Sequence, residues 1–218
     1  PRRPMSADEL LASLGIDPLI AGEPFSRDAA GQLVDPAGAR VILVAGETDR
    51  GFRQVLEAEK PGAWGGAMKA CGISCGNKIA TGLDAILARQ GKSALASLPL
   101  EACLALLEHS FAAYGWGRLK IDLSAAADHG FVVASLEHSC SVEVLKDTDD
   151  FVDTMVAGIL QGFFAHISGQ ILGCEEIACA RRGVPQCTFV ITSPERLATI
   201  TARIGREPAD ALLARLRQ

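Results

Sequence analysis

Three residues near the C-terminal end of the chain have side chains and a spacing that suit a metal ion. Glu176, Cys179 and Cys187 form the pattern E-x-x-C-x7-C. A strand, a reversal at residues 182–185 and a second strand would form a hairpin that brings both cysteines to one end. Thiolates and carboxylates are zinc donors, and a structural zinc ion usually has four ligands in a tetrahedron. The pattern therefore predicts three of the four ligands of a zinc site.

The residues around this pattern offer more than one fourth ligand. Cys174 lies two positions before Glu176, so the two side chains would share one face of a strand. Cys140 is a further candidate. The alternative is that these cysteines are small hydrophobic core residues, as buried free cysteines often are.

A long apolar helix, predicted over residues 151–172, carries the next candidate site. His166 is an imidazole on this otherwise apolar segment, one turn after Phe163. Together with Tyr114 and Trp116, these residues predict an apolar cavity that binds a small hydrophobic molecule. The alternative is an ordinary aromatic core with a histidine bonded to a backbone carbonyl.

Two glycine-rich segments are predicted to be helical, one over residues 63–90 and one around residues 158–169. Gly66, Gly72 and Gly76 would each weaken an exposed helix by ~1 kcal/mol relative to alanine. Their spacing therefore predicts close packing against another helix or a ligand. Both segments are more apolar than a small monomer needs to cover, so we also expect a homodimer.

The remaining pattern predicts an α+β fold in which helices cover one face of an antiparallel sheet. Ser6 and Glu9 suit a capping box at the start of a first helix. The β-branched run at residues 39–46 predicts a buried strand. Further strands are expected over residues 117–123, 131–136 and 141–145, followed by the hairpin and by two helices in residues 193–217.

These motifs together resemble the 4-vinyl-reductase-like domain family, over roughly residues 40 to 192. The hairpin pattern is the most specific of them. The resemblance also covers Gly158-x-x-x-Gly162-Phe163, the earlier run from Cys71 to Gly76, and Gly115-Trp116-Gly117 before a strand. The family includes a protein linked to bacteriochlorophyll synthesis and the sensor domains of some aromatic-responsive transcription activators. It implies the fold of the TRAPP vesicle-tethering subunits, which commonly dimerise through their helices.

The resemblance also implies a metal and a ligand. In the aromatic sensors the hairpin binds zinc together with a cysteine that lies just before the Gly-x-x-x-Gly helix. This chain has no cysteine there, and Asp153 lies near that position. Asp153 would therefore be the fourth zinc ligand, with an aromatic or tetrapyrrole-like molecule as the ligand of the domain.

Three functions follow as hypotheses. The first is a small-molecule-binding module that acts as a sensor, carrier or assembly factor and is read by a protein partner. The second is a vinyl reductase of bacterial (bacterio)chlorophyll synthesis, and the third is a TRAPP-like dimeric adaptor. The chain has no P-loop and no dinucleotide-binding glycine motif, so no nucleotide cofactor is expected. Whether the protein is an enzyme stays open.

Composition narrows the class of protein. The 218 residues are 49% hydrophobic with a net charge of −5 and no basic stripe, which argues against nucleic-acid binding. Polar residues interrupt the apolar runs, so no membrane span is expected. Seven cysteines, an odd number, are typical of a reducing cytoplasm. We expect three segments: an N-terminal extension over residues 1–38, the family domain over 39–192 and a helical extension over 193–218.

Overall fold

The computed structural model of the chain describes residues 5–17 and 25–218, which form two units. The first unit comprises Pro1–Leu43 and Lys78–Gly115, and the second comprises Val44–Asn77 and Trp116–Gln218. The division expected at residues 38/39 and 192/193 stays a prediction.

The described elements alternate between short strands and longer helices along the chain. In chain order the helices are α1 (Ala7–Ser13), α2 (Gly46–Glu59), α3 (Ala63–Arg89), α4 (Leu100–Ala113), α5 (Ala126–His129), α6 (Cys140–Val144), α7 (Thr154–Ser168), α8 (Pro194–Thr201) and α9 (Ala209–Leu216). The strands are β1 (Ser26–Arg27), β2 (Leu33–Val34), β3 (Arg40–Val41), β4 (Arg118–Asp122), β5 (Val132–Glu137), β6 (Gly173–Ala178) and β7 (Cys187–Thr192).

The first unit is mainly helical. The predicted capping box begins α1: the Glu9 backbone N–H donates to Ser6 Oγ at 3.2 Å, and the Ser6 N–H donates to the Glu9 carboxylate at 2.7 Å. Helix α1 packs on α4 and the fully buried Leu11 lies in this core. Strands β1, β2 and β3 form a small antiparallel sheet in that order.

The buried strand predicted at residues 39–46 is wrong. Only Arg40–Val41 is a strand, and the next residues are open to solvent, with Ile42 79% and Leu43 74% exposed. Helix α2 then begins at Gly46. A β-branched run suits a pleated surface that another layer half buries, but composition cannot supply that layer.

The second unit contains a four-stranded antiparallel sheet with the order β4-β5-β7-β6. The sheet therefore follows the predicted strands, except that β7 lies between β5 and β6. Phe189 and Val190 are neighbours on β7 and both are fully buried. Because successive side chains point to opposite faces of a strand, both faces of the sheet are covered.

Helices cover both of these faces, rather than one as the sequence predicts. Val190 and Ile177 share a cluster with Leu197 of α8 and Leu212 of α9. Helix α7 packs against β6 and β7, and its first residues contact Glu176 from the other face. The expected C-terminal helices therefore form one of the covering layers.

Two predicted elements differ from the structure for local reasons. The strand expected at residues 141–145 is helix α6, because Ser139 Oγ accepts the Val142 N–H at 3.3 Å and caps a helix there. The helix expected over 151–172 is shorter: α7 ends where Gly169 adopts φ +65°. A left-handed glycine at this position is a usual helix end.

The glycine-rich segments pack against each other, which confirms the prediction of close helix packing. A Cβ on Gly72 would lie 2.1 Å from the Met155 carbonyl oxygen, and one on Gly76 would lie 2.1 Å from that of Ile159. Gly158 faces α3 equally closely. Within the second unit, α3 and α7 thus touch through their backbones.

The observed architecture is the predicted α+β class, an antiparallel sheet covered by helices. Helices and antiparallel sheets make up the described residues of both units. In the part of the chain that the structure describes, every helix is too short or too polar to cross a membrane.

Candidate metal centre

The β6–β7 hairpin forms as predicted and positions the three metal-ligand candidates. β6 pairs antiparallel with β7, and the register shifts between Glu176 and Ala178. A shift of this kind bends the strand and re-aims the side chains beside it. The chain then makes a 3-10 turn at Ala180–Arg182 and reverses at Gly183, whose φ is +85°. Cys187 begins the returning strand.

Glu176, Cys179 and Cys187 meet at this end of the hairpin, as the spacing predicts. One carboxylate oxygen and the two sulfur atoms all lie within 4.8 Å of one another. The two sulfurs are 4.0 Å apart, and all three side chains are buried. The backbone N–H of Ala180 donates to Cys187 Sγ at 3.3 Å, which favours the thiolate that a metal requires.

Asp153 lies beside this group, immediately before α7, and is fully buried. Its backbone N–H donates to Glu176 Oε2 at 2.9 Å, and its Oδ1 accepts from the Ser139 hydroxyl at 2.7 Å. The other two carboxylate oxygens, Asp153 Oδ2 and Glu176 Oε1, are buried and have no hydrogen-bond partner among the described residues. Buried carboxylate oxygens without a partner are costly, so an ion is the natural complement to this pair.

The pKa values of the four side chains follow from this crowding. Burial raises the pKa of Asp153, with the neighbouring Ser139 and Cys187 side chains partly opposing it. Burial also raises the pKa of Glu176, and the negative charge of Asp153 raises it further. The hydrogen bond from Cys187 lowers the pKa of Cys179 to about 6, and the same contact raises that of Cys187. Without a metal, these groups compete for too little positive charge.

The donor set fits a divalent cation. Two sulfurs and two carboxylate oxygens without partners are donors that Zn²⁺ accepts in tetrahedral sites. The other predicted fourth ligands lie elsewhere: Cys174 is fully buried on β6, and Cys140 is exposed at the start of α6. In the part of the chain that is described, neither joins the group formed by Glu176 and the two cysteines.

The four residues predicted to line a ligand cavity lie in both units. Phe163 is fully buried on α7, and His166 and Trp116 are partly buried in the same unit. Tyr114 belongs to the first unit, where its hydroxyl donates to Asp35 Oδ2 at 2.8 Å and its ring contacts Phe25. A cavity at Phe163 and His166 stays a prediction.

Ser139 is a site residue that the sequence does not reveal. Its hydroxyl bonds Asp153 across 14 positions and also caps α6. A serine three residues before Val142 carries a capping signal, which could have identified the helix. The contact with Asp153 has no local signal, since it depends on how α6 and α7 pack.

Comparisons with known proteins agree with this fold. Residues 132–193 match the family model of the vinyl-4-reductase domain. The sensory domain of the transcription activator PoxR, described as phenol-responsive and solved with phenol, has 18% sequence identity and a TM-score of 0.65, with 99% of each chain covered.

Two further solved structures are similar. Trafficking protein particle complex subunit 3 from Naegleria fowleri, covalently bound to palmitic acid, matches at 13% identity and a TM-score of 0.50, covering 67% of this chain and 91% of that one. A vinyl-4-reductase family protein from Methanocaldococcus jannaschii matches at 16% identity and a TM-score of 0.47, covering 70% and 83%. No curated protein matches the sequence significantly. At these identities the structures show the shared, TRAPP-like fold.

Proposed function

The chain carries a vinyl-4-reductase domain, and on that premise we propose that it is a small-molecule-binding module whose C-terminal hairpin is stapled by zinc. The module acts as a sensor, carrier or assembly factor for a hydrophobic molecule of aromatic or tetrapyrrole-like character. The observation that carries the proposal is the buried donor set, in which two carboxylate oxygens have no partner beside two sulfurs 4.0 Å apart.

Zinc is the proposed ion because of the donor chemistry. Thiolate sulfur favours Zn²⁺ over Mg²⁺ or Ca²⁺, which prefer oxygen ligands. Asp153, Glu176, Cys179 and Cys187 would hold it, and the bound ion would supply positive charge to buried anions. Ser139 and the Asp153 backbone N–H hold the second oxygen of each carboxylate, which orients the free oxygens.

The four ligands come from three elements, which gives the metal a structural role. Asp153 precedes α7, Glu176 lies on β6, and the two cysteines flank the turn before β7. Binding would therefore fasten the start of α7 to the hairpin. Helix α7 also carries Phe163 and His166, so the staple would hold the wall of the proposed ligand cavity in place.

The small-molecule function is supported by the likeness to the PoxR sensory domain. That domain was solved with phenol, and its fold matches this chain over nearly the whole length of both. We propose that Phe163, His166 and Trp116 contact the ligand here, with the imidazole bonding a hydroxyl or carboxylate of the bound molecule.

Native mass spectrometry of the purified chain tests the zinc staple. We expect one zinc ion per chain, and Cys179→Ala and Cys187→Ala should each lose it. Cys174→Ala is the matched control, because Cys174 is an equally buried thiol on the same hairpin outside the metal group. A metal-free native protein, or retention of zinc in both variants, would contradict the staple.

A thermal-shift series with phenol and with a porphyrin tests the ligand. We expect one of these to raise the unfolding temperature without being consumed, and His166→Phe to weaken that shift while the protein stays folded. If His166→Phe lowers stability but leaves the ligand shift unchanged, the imidazole serves the core and does not bind the ligand. A product formed from the porphyrin would favour the vinyl reductase hypothesis instead.

A further inference from the structure

Helix α2 and the first turns of α3 border a groove in the second unit that lies apart from the candidate metal centre. Its volume is about 440 Å³, which is within the usual range of small-molecule sites. Five apolar and two acidic side chains line it. The lining residues are Asp49, Phe52, Val55, Leu56, Glu59, Trp64 and Met68.

The walls of the groove are held in place by polar contacts outside it. The Glu57 carboxylate accepts the backbone N–H of Gly62 at 2.7 Å and that of Trp64 at 2.9 Å. These bonds lower the pKa of Glu57 and tie the end of α2 to the start of α3. Arg53 pairs with Asp147 at 3.3 Å and anchors the opposite side of α2. The groove is therefore formed before any ligand binds.

The apolar side of α2 faces open space. Phe52 is 66% and Val55 is 65% exposed, and the helix buries none of its residues. Trp64, by contrast, is only 8% exposed and forms the floor. An open apolar strip over a formed aromatic floor favours a ligand with an apolar body.

The charges of the groove select the sign of that ligand. Asp49 and Glu59 lie ten positions apart on α2, so they stand ~15 Å apart, toward opposite ends of the groove. None of the described lining residues is basic. Burial raises the pKa of Asp49, because no cation offsets its charge there. An anion would be repelled, whereas a cation would be attracted by the carboxylates and by the faces of Phe52 and Trp64.

We propose that this groove binds lipophilic organic cations, in which an apolar body carries a single delocalised or quaternary positive charge. The site goes beyond the proposed function, since its lining includes neither the metal ligands nor Phe163, His166 and Trp116.

Equilibrium dialysis with two ions of the same size and shape tests the proposal. The probes are tetraphenylphosphonium, a cation, and tetraphenylborate, an anion. We expect saturable binding of the cation to the unmodified chain and binding of the anion that is roughly tenfold weaker or less. Equal binding of the two ions would overturn the proposal, because a merely apolar face does not distinguish their sign.

Variants place the binding in the groove. The double variant Asp49→Asn/Glu59→Gln should weaken cation binding roughly tenfold and spare or strengthen anion binding. Phe52→Ser should weaken both, and it leaves the core intact because the ring is exposed. Glu47→Gln is the matched control, an exposed carboxylate on α2 outside the lining, and should bind as the unmodified chain does.

Two results would assign the groove otherwise. If the double variant binds the cation as tightly as the unmodified chain, the carboxylates play no part and the proposal fails. If neither ion binds and Phe52→Ser turns a dimer into a monomer in sedimentation equilibrium, a second copy covers this face. Neither result depends on zinc content or on a phenol shift, so the proposed function is tested separately.

Discussion

At the scale of single residues, the candidate metal centre is defined by atoms that lack partners. Asp153 and Glu176 each use one carboxylate oxygen in a hydrogen bond within the protein and leave the other buried without one. Two carboxylates and two thiols in one dry pocket repel one another when ionised. A divalent ion resolves this conflict by replacing protons as the shared positive charge.

Asp153 is the ligand whose substitution should discriminate most sharply. Asp153→Ala should lower zinc affinity roughly 100-fold, since it removes a ligand and leaves three. Asp153→Cys should raise the affinity instead, because thiolate is a softer donor that zinc prefers. Competition with a chromophoric chelator measures both. Asp150→Ala, an 82% exposed carboxylate three positions earlier, is the control and should change nothing.

The stability of the protein should respond to pH with opposite sign in the metal-free and zinc-bound forms. Burial raises the folded-state pKa values of Asp153 and Glu176 above 3.8 and 4.5. Their contribution to metal-free stability is therefore present below those values and is lost as the pH rises toward about 6. Zinc binding requires deprotonated ligands, so its contribution should grow over the same range.

Urea unfolding midpoints with a chelator and with zinc, measured between about pH 4.5 and about pH 6, test this expectation. The variant Asp153→Asn/Glu176→Gln should lose both trends, because neither replacement titrates. Midpoints that rise with pH by the same amount in both forms would mean that other carboxylates dominate the response.

At the scale of elements, the contact between α3 and α7 organises the second unit. Backbone atoms of the two helices approach so closely that glycine is required at Gly72, Gly76, Gly158 and Gly162. The contact also fixes where α7 begins, and hence where Asp153 stands relative to the hairpin. Packing of two helices thus positions one of the proposed metal ligands.

Alanine substitutions on α3 should separate packing glycines from tolerated ones. Gly72→Ala places a Cβ 2.1 Å from the Met155 carbonyl oxygen and should destabilise by about 3 kcal/mol or more as the helices separate. Gly66→Ala meets nothing within 4 Å and should stabilise by up to ~1 kcal/mol through helix propensity. Chemical denaturation measures both. Equal stability of the two variants would show that the helices separate at no cost.

At the scale of the whole molecule, apolar surface is left open. Ile42, Leu43 and Val44 are consecutive and are 79%, 74% and 57% exposed. An exposed apolar run of this kind usually marks an interaction surface. The glycine faces, which suggested a dimer from the sequence, are instead used within the chain.

We expect the protein to be a homodimer that covers this run. Sedimentation equilibrium should give twice the chain mass of 22.9 kDa at micromolar concentration. Ile42→Ser/Leu43→Ser should shift the equilibrium toward monomer, because it removes apolar area that the dimer would bury. Ile171→Ser, at an isolated site that is 85% exposed, is the control. A monomer of the unmodified chain would contradict the prediction.

Features that depend on neighbours in the sequence could be predicted without the structure. The capping box at Ser6 and Glu9 closes over three residues, and the hairpin that joins Cys179 to Cys187 closes over eight. Short loops restrict the chain so strongly that residue types and spacing nearly determine the contact. Helix periodicity and the alternation of strands are local in the same sense, and they determined the α+β class.

Features that depend on contacts between distant segments were decided by the tertiary structure alone. The bond from Ser139 to Asp153, the groove over Trp64 and the exposure of Ile42 follow from which surfaces meet. Glycine spacing announced a close contact, but the partner of α3 became clear only when α7 lay against it. A sequence states what each segment can bury, and burial itself is a property of pairs of segments, so only the folded chain decides it.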